Sequence, residues 1–210
     1  MASTIYVDKV DPASGTALEL GSSGDTLTVP SGATLAIASG GTLANSGTAT
    51  GVGGTNTPAF AAYLATDSDQ SISDSTTTKI EFEAERFDTA GAFDTSTHRF
   101  TVPAGQGGKY YIVVKAKCSS SQQNDIVGIY VHIYKNGSTY HSVGYTGAGF
   151  ISGTKYPILG MGILCSSVLE LAAGDYVEGY GYIKTNGAGT PKFQEGDDAA
   201  TYMEGFKIIE

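Results

Sequence analysis

The 210-residue chain has no tryptophan, two cysteines, three histidines and only twelve lysines and arginines, and each scarcity closes off a class of function. Twelve basic residues against twenty-one acidic ones leave a net charge of −9. That balance supplies no basic stripe to neutralise phosphates, so nucleic-acid binding is not expected. Cys118 and Cys165 are too few for a disulfide framework and lack metal-ligand spacing. They read as small buried hydrophobes, with a bridge between them left open if their strands are neighbours. No run reaches the roughly 18 apolar residues of a membrane helix. The opening MASTIYVDKV has no apolar stretch after a basic start, so the expectation is a soluble protein made in the cytoplasm without a signal peptide. Helical periodicity is missing as well.

What the chain does have is 29 glycines and 13 tyrosines among abundant Ser and Thr, the composition of turn-rich β structure. Its length suits one domain of about 150 residues, which buries roughly 70% of its unfolded surface, plus something smaller. The smaller part is visible as a change of grammar. Between Asp25 and Asp67 no charged residue occurs, and GTALEL (15–20), GDTLTV (24–29), GATLAI (32–37) and GGTLAN (40–45) repeat at intervals of nine, eight and eight. Each unit predicts a short strand followed by a glycine turn. One or two aliphatics per unit cannot offset the roughly 1–2 kcal/mol needed to order each residue of a lone chain. Two readings follow: three chains sharing one apolar axis, or a flexible Ser/Gly linker. The expected organisation is an attachment segment (1–15), a β-repeat stalk (16–47), a Gly/Thr-rich hinge (48–57) and a head (58–210).

The head alternates with period two. Tyr110, Ile112, Val114, Ala116 and Cys118 take one face of a strand over 109–118, and Val127, Ile129, Val131 and Ile133 take one face of the next. Asn136-Gly137 then marks a hairpin. Eight to ten such strands make a two-sheet sandwich.

Catalysis is not expected. His98 (placed in a strand over 95–102), His132 and His141 are the available imidazoles, and no nucleophile elbow accompanies them. Glu195, Asp197 and Asp198 offer oxygen ligands that could gather Ca2+, or form a solvated acidic loop. No other cofactor is implied. Tyr130, Tyr134, Tyr180 and Tyr182 alternate with core positions and suit either a subunit interface or sugar stacking, as do Tyr140 and Tyr145 in connecting segments.

The segment FDTAGAFDTSTHRFTVPAGQGGKYYIVV (87–114) resembles the signature of complement component one q globular heads. Tyr134-Lys135-Asn136-Gly137, LELAAGDYV (169–177) and Tyr202-Met203-Glu204-Gly205-Phe206 follow in the family's order, with Met203 where the family prefers Phe. The resemblance covers about 58–210 and implies a ten-strand jelly roll of the tumour-necrosis-factor-like type, assembled as a homotrimer. It also implies that both chain ends lie at one pole with the turns at Gly105–Gly108, Asn136-Gly137 and Gly174-Asp175. The longer connections at 66–78, 119–125, 146–157 and 185–200 would then form the opposite tip.

The phrase IYVDKVDPASGTALELGSSGDTLTVPSGATL (5–35) is similar to the opening of fibre-like proteins of phages that infect marine bacteria and cyanobacteria. Together the resemblances imply a virion protein on a tail or capsid surface: a tail fibre that binds a host glycan or protein, or alternatively a capsid decoration, or a bacterial surface adhesin. Candidate receptor-binding residues at the tip are Gln122, Gln123, Asn124, Tyr145, Asn186 and Lys192. Ile5, Tyr6 and Val7 are candidates for attachment to other virion proteins.

Overall fold

A computed structural model describes residues 10, 18, 20, 23–46, 56–65, 69–122, 125–146, 160–187, 189–195 and 200–208. By internal packing the chain divides into two compact units, Met1–Val52 and Gly53–Glu210.

In the first unit the eight-residue period survives as turns rather than strands. Gly24, Gly32 and Gly40 all sit at positive φ (93°, 84° and 85°), a conformation glycine adopts without steric cost. Two of the turns are closed by Ala33 N donating to Pro30 O and Gly41 N donating to Ala38 O. The short strand expected in each repeat is not formed in 23–46, because strand hydrogen bonds need a neighbouring strand to receive them. Leu27, Val29, Leu35, Ile37 and Leu43 are consequently 44–68% exposed.

The second unit is all-β. Its strands are β1 (Ala59–Tyr63), β2 (Gln70–Ser71), β3 (Thr78–Lys79), β4 (Ala84–Asp88), β5 (Phe93–Asp94), β6 (Arg99–Thr101), β7 (Gly108–Ser120), β8 (Ile126–Lys135), β9 (Ser138–Thr146), β10 (Gly160–Leu171), β11 (Tyr176–Thr185), β12 (Pro191–Phe193) and β13 (Tyr202–Lys207). These are thirteen segments among the described residues where ten strands were expected. The surplus consists of two- and three-residue pieces, too short to carry an alternating pattern.

In the first sheet β10 pairs with β7 along its whole length, while β13 and β12 pair with β7 over 110–115 and 118–120. A strand has two edges, so β12 and β13 share the one opposite β10. The sheet continues from β13 to β1 and β4, and β2 joins β12. The second sheet runs β5-β6-β11-β8-β9, with β3 on β11. Both sheets are antiparallel. From β7 onward the chain runs β7 (first sheet), β8 and β9 (second), β10 (first), β11 (second), β12 and β13 (first), the crossing pattern of a jelly roll.

The alternation expected in β7 holds, with Tyr110, Ile112, Val114, Ala116 and Cys118 fully buried. In β8 the pattern slips at its start. Ile126 is buried and Val127 half-exposed, because a register shift between Lys184 and Thr185 pairs Thr185 with Ile126 and skips Val127. His98 lies in a turn rather than a strand, at φ 52°. Met203 is fully buried. Cys118 and Cys165 are both free and buried. Cys165 pairs across from Val114 and Cys118 from Met161, an offset of four residues or about 13 Å along the strands, which is too far for a disulfide. Burial pushes the Cys118 thiol up to about 12.

Two glycines of β11 let the sheets approach. A Cβ on Gly181 would fall 2.4 Å from the Phe193 ring, and one on Gly179 would fall 2.9 Å from Val114, both residues of the first sheet. Gly181→Ala is therefore expected to cost about 1–3 kcal/mol through overpacking, read as a lower urea midpoint with an unchanged slope.

The chain enters the domain at the pole where it leaves, since Lys207 N donates to Pro58 O at 3.0 Å. The hairpin turn at Asn136 (φ 50°) and Gly137 (φ 77°) lies at this same pole, locked to the Gly174-Asp175 turn. Asp175 accepts from Asn136 Nδ2 at 2.8 Å and Ala172 N at 2.9 Å, and Lys135 Nζ is 3.0 Å away. These donors, Asn136 foremost, hold the Asp175 carboxyl down at about 2. Its folded value is below its unfolded one, so its stabilisation is full above about pH 4 and is lost as pH falls towards 2. Melting temperatures measured from pH 6 to 2 should show part of the acid slope vanishing in Asp175→Asn.

Candidate functional site

The pole away from the chain ends is built on hydrogen-bonded carboxylates, of which Asp125 is buried. Asp125, 1% exposed, accepts from Ser120 Oγ at 2.7 Å and from the backbone amides of Gly189 (2.9 Å) and Asn186 (3.3 Å). It thereby fastens the β7-β8 connection to the β11-β12 connection. Asp74 accepts from Thr185 N at 2.6 Å and Thr185 Oγ1 at 2.8 Å, and these bonds, the backbone one first, lower its carboxyl below the ordinary range. Asp69 accepts from Glu195 N at 3.1 Å and pairs with Lys192 Nζ. Three acidic side chains thus replace a hydrophobic core as the framework of the tip. A carboxylate oxygen can accept several amides at once, which suits irregular backbone that no ladder satisfies.

Of the residues expected at this tip, Gln122 and Asn186 are exposed. Tyr145 is 60% exposed near the end of edge strand β9. Lys192 is not in a loop: it belongs to β12, between β2 and β7, with its ammonium held by Asp69. Ser119 and Ser120, assigned to the connection, are buried strand residues. Gln123 and Asn124 lie outside the described residues, as do Ile5, Tyr6, Val7, Asp197 and Asp198. Glu195 is half-buried. Among the described residues no three His, Cys, Asp or Glu side chains gather as a metal site, and no helix is long and apolar enough to cross a membrane.

Two further surfaces lie on the sandwich faces. The outward face of the first sheet aligns Val168, Tyr111 and Phe206 across β10, β7 and β13, with Tyr111 and Phe206 rings 5.7 Å apart. Val113 lies on the next rung of this face, beside Ser166 and Glu204, and Leu164 on the one after, beside Lys115. Leu164, Val168 and Phe206 are 45%, 47% and 38% exposed, an apolar row of the kind that marks a contact surface. The outward face of the second sheet carries Tyr130, His132, Tyr134, Tyr180 and Tyr182. Sequence pattern found these tyrosines but missed Thr77 and Ser142, which reach the same face from other segments. Only the register of β8 with β9, pairing His132 with Ser142, and the path before β3 bring them there.

No protein-family model matches the chain, and no curated protein does. Among solved structures it is similar to the globular domain of zebrafish complement 1qA protein, at 17% identity and TM-score 0.48, over 73% of this chain and 98% of that one. It is also similar to Eiger TNF from S. frugiperda, at 13% identity and TM-score 0.49, over 73% of this chain and 93% of that one.

Proposed function

We propose that this chain is a homotrimeric appendage of a bacteriophage particle, a tail fibre or related projection, whose jelly-roll head binds the host surface and performs no catalysis. The observation that carries the reading is the aliphatic surface that a single chain leaves in water. Leu27, Leu35 and Leu43 recur at eight-residue intervals, each more than 60% exposed, and the head adds the Val168, Tyr111 and Phe206 row. Surfaces of this kind are stabilised when copies bury them against one another.

Three copies fit the repeat, whose few apolar residues per turn suit a narrow shared axis. The family motifs at 87–114, 134–137, 169–177 and 202–206 carry the same implication for the head. The opening phrase at 5–35 supports the virion assignment and gives the N-terminus to attachment. A head held by its chain ends at one pole presents the Asp125-anchored loops at the other, where contacts of loop residues with a host molecule are expected. Individually weak contacts, repeated three times per projection, raise avidity by orders of magnitude.

The test is to label intact particles with gold-conjugated antibody against residues 58–210 and to measure adsorption of particles lacking that segment. Label at the tail with lost adsorption is the expected result. Label over the capsid with altered heat resistance identifies a decoration protein instead, and absence of label from any particle overturns the virion assignment.

A further inference from the structure

The outward face of the second sheet carries a cluster that neither the fold nor the tip loops account for. Tyr134 and Tyr180 stack at 4.0 Å between centroids, and His132 lies between Tyr130 (6.0 Å, parallel) and Tyr134 (6.1 Å, edge-on). Tyr182 meets Tyr130 edge-on at 5.8 Å. Tyr130 can lie flat because its neighbour is glycine: a Cβ on Gly144 would fall 2.1 Å from the Tyr130 ring. The result is a depression of about 400 Å³ lined by Thr77, Tyr130, His132, Ser142 and Tyr182. That volume is at the small end of the roughly 300–1,000 Å³ typical of ligand sites.

His132 is the unusual member. Both ring nitrogens are buried, and neither has a hydrogen-bond partner among the described residues. Burial lowers its basicity, so near neutral pH the ring is uncharged, with one N–H donor and one acceptor nitrogen. A polar ring left unsatisfied within an aromatic cluster needs an explanation. The lining contains no charged side chain, and the adjacent Lys79 and Glu178 satisfy each other at 2.6 Å. A phosphate or an acidic peptide would meet no cation there. Aromatic faces take the C–H face of a pyranose, while the hydroxyls of Thr77 and Ser142 and the imidazole suit its hydroxyl edge.

We infer that this depression is a binding site for one or two neutral pyranose units of a glycan, with Tyr130 and Tyr182 as the stacking surface and His132 as the polar contact that opens to the ligand. This deepens the host-binding reading and rests on it for the biological source of the sugar. It adds a glycan contact on the flank of the head to the loop contacts expected at its tip.

The experiment uses the full chain and a panel of probes: the methyl glycosides of glucose, galactose and N-acetylglucosamine, with lactose, cellobiose and chitobiose. Saturation-transfer NMR is expected to detect at least one probe with millimolar affinity. Tyr182→Ala and His132→Phe should each weaken it at least tenfold, while Lys117→Ala, at an exposed position of β7 in the first sheet, leaves it unchanged. His132→Phe should melt no lower than the parent, since the imidazole nitrogens have no partner to lose, so lost binding in that variant is not misfolding. The inference is overturned if no probe binds, if binding survives Tyr182→Ala or His132→Phe, or if Tyr182→Ala separates the oligomer into single chains, which would make the face a subunit contact. Sugar binding through this site by a protein that labels no particle would retain the site and refute the virion reading.

Discussion

Phe100→Ala is expected to destabilise the head by about 3–5 kcal/mol, the range for deleting a fully buried aromatic ring. Phe100 is 0% exposed and stacks on Phe60 at 4.6 Å, which in turn stacks on Phe93 at 5.4 Å, while Tyr110 meets Phe100 at 5.6 Å. β1 and β7 belong to the first sheet and β5 and β6 to the second, so this stack joins the two layers. The ring's neighbours are themselves constrained. Tyr110 Oη donates to Gln106 O at 2.6 Å, and β1 is fixed between β13 and β4, leaving little freedom to collapse into the space. A domain of this size is stable by roughly 5–15 kcal/mol, so one substitution removes a large fraction. Equilibrium urea denaturation measures it. A loss below about 1 kcal/mol would mean that the stack does not join the sheets.

The second large effect concerns assembly. Val168→Asp in the head together with Leu35→Asp in the repeat is expected to convert the protein from an oligomer to single chains. Each introduced carboxylate would have to be buried without a partner in the contact, at a cost of several kcal/mol per ion in every copy. Both positions are exposed in the single chain, at 47% and 64%, so the variant chain should retain the parent β-sheet circular dichroism. Sedimentation velocity separates the outcomes: dissociation with unchanged spectra is expected, and an unchanged sedimentation coefficient contradicts the assignment of those rows to assembly.

Much of the head was legible because its long strands bury one face only. In β7 five alternate residues are fully buried, and Asn136-Gly137 takes the two positive φ values that a tight hairpin needs. Legibility ended where the pattern depends on a partner strand. Val127 was expected inside, but the register with β11 displaces it. In β11 the tyrosines were read as alternating with core side chains, yet the inward positions at 179 and 181 are glycines, filled by Phe82 of the β3-β4 connection and by Val114 and Phe193 of the facing sheet. An inward glycine carries no apolar signal.

The site followed the same division. Gln122 and Asn186 are exposed, but the supports of their loops did not stand out: Asp69, Asp74 and Asp125 look like any other acidic loop residues until their amide partners, up to 126 positions away, are folded beside them. Lys192 was misplaced for a related reason. A three-residue strand between two connections has no periodicity of its own, and pairing with β2 and β7 makes it a strand. In the repeat, glycine spacing transferred directly into turns at Gly24, Gly32 and Gly40, whereas the expected strands are not formed in 23–46.

The aliphatic rows of the repeat and the head are proposed to be buried between copies, and the mass of the intact protein in solution decides between that arrangement and a single chain. Sedimentation equilibrium on the full chain is expected to return three times the 21.6 kDa of one chain, with no dissociation at micromolar concentration. A mass of 21.6 kDa under those conditions would contradict the account, because it would leave both rows in water.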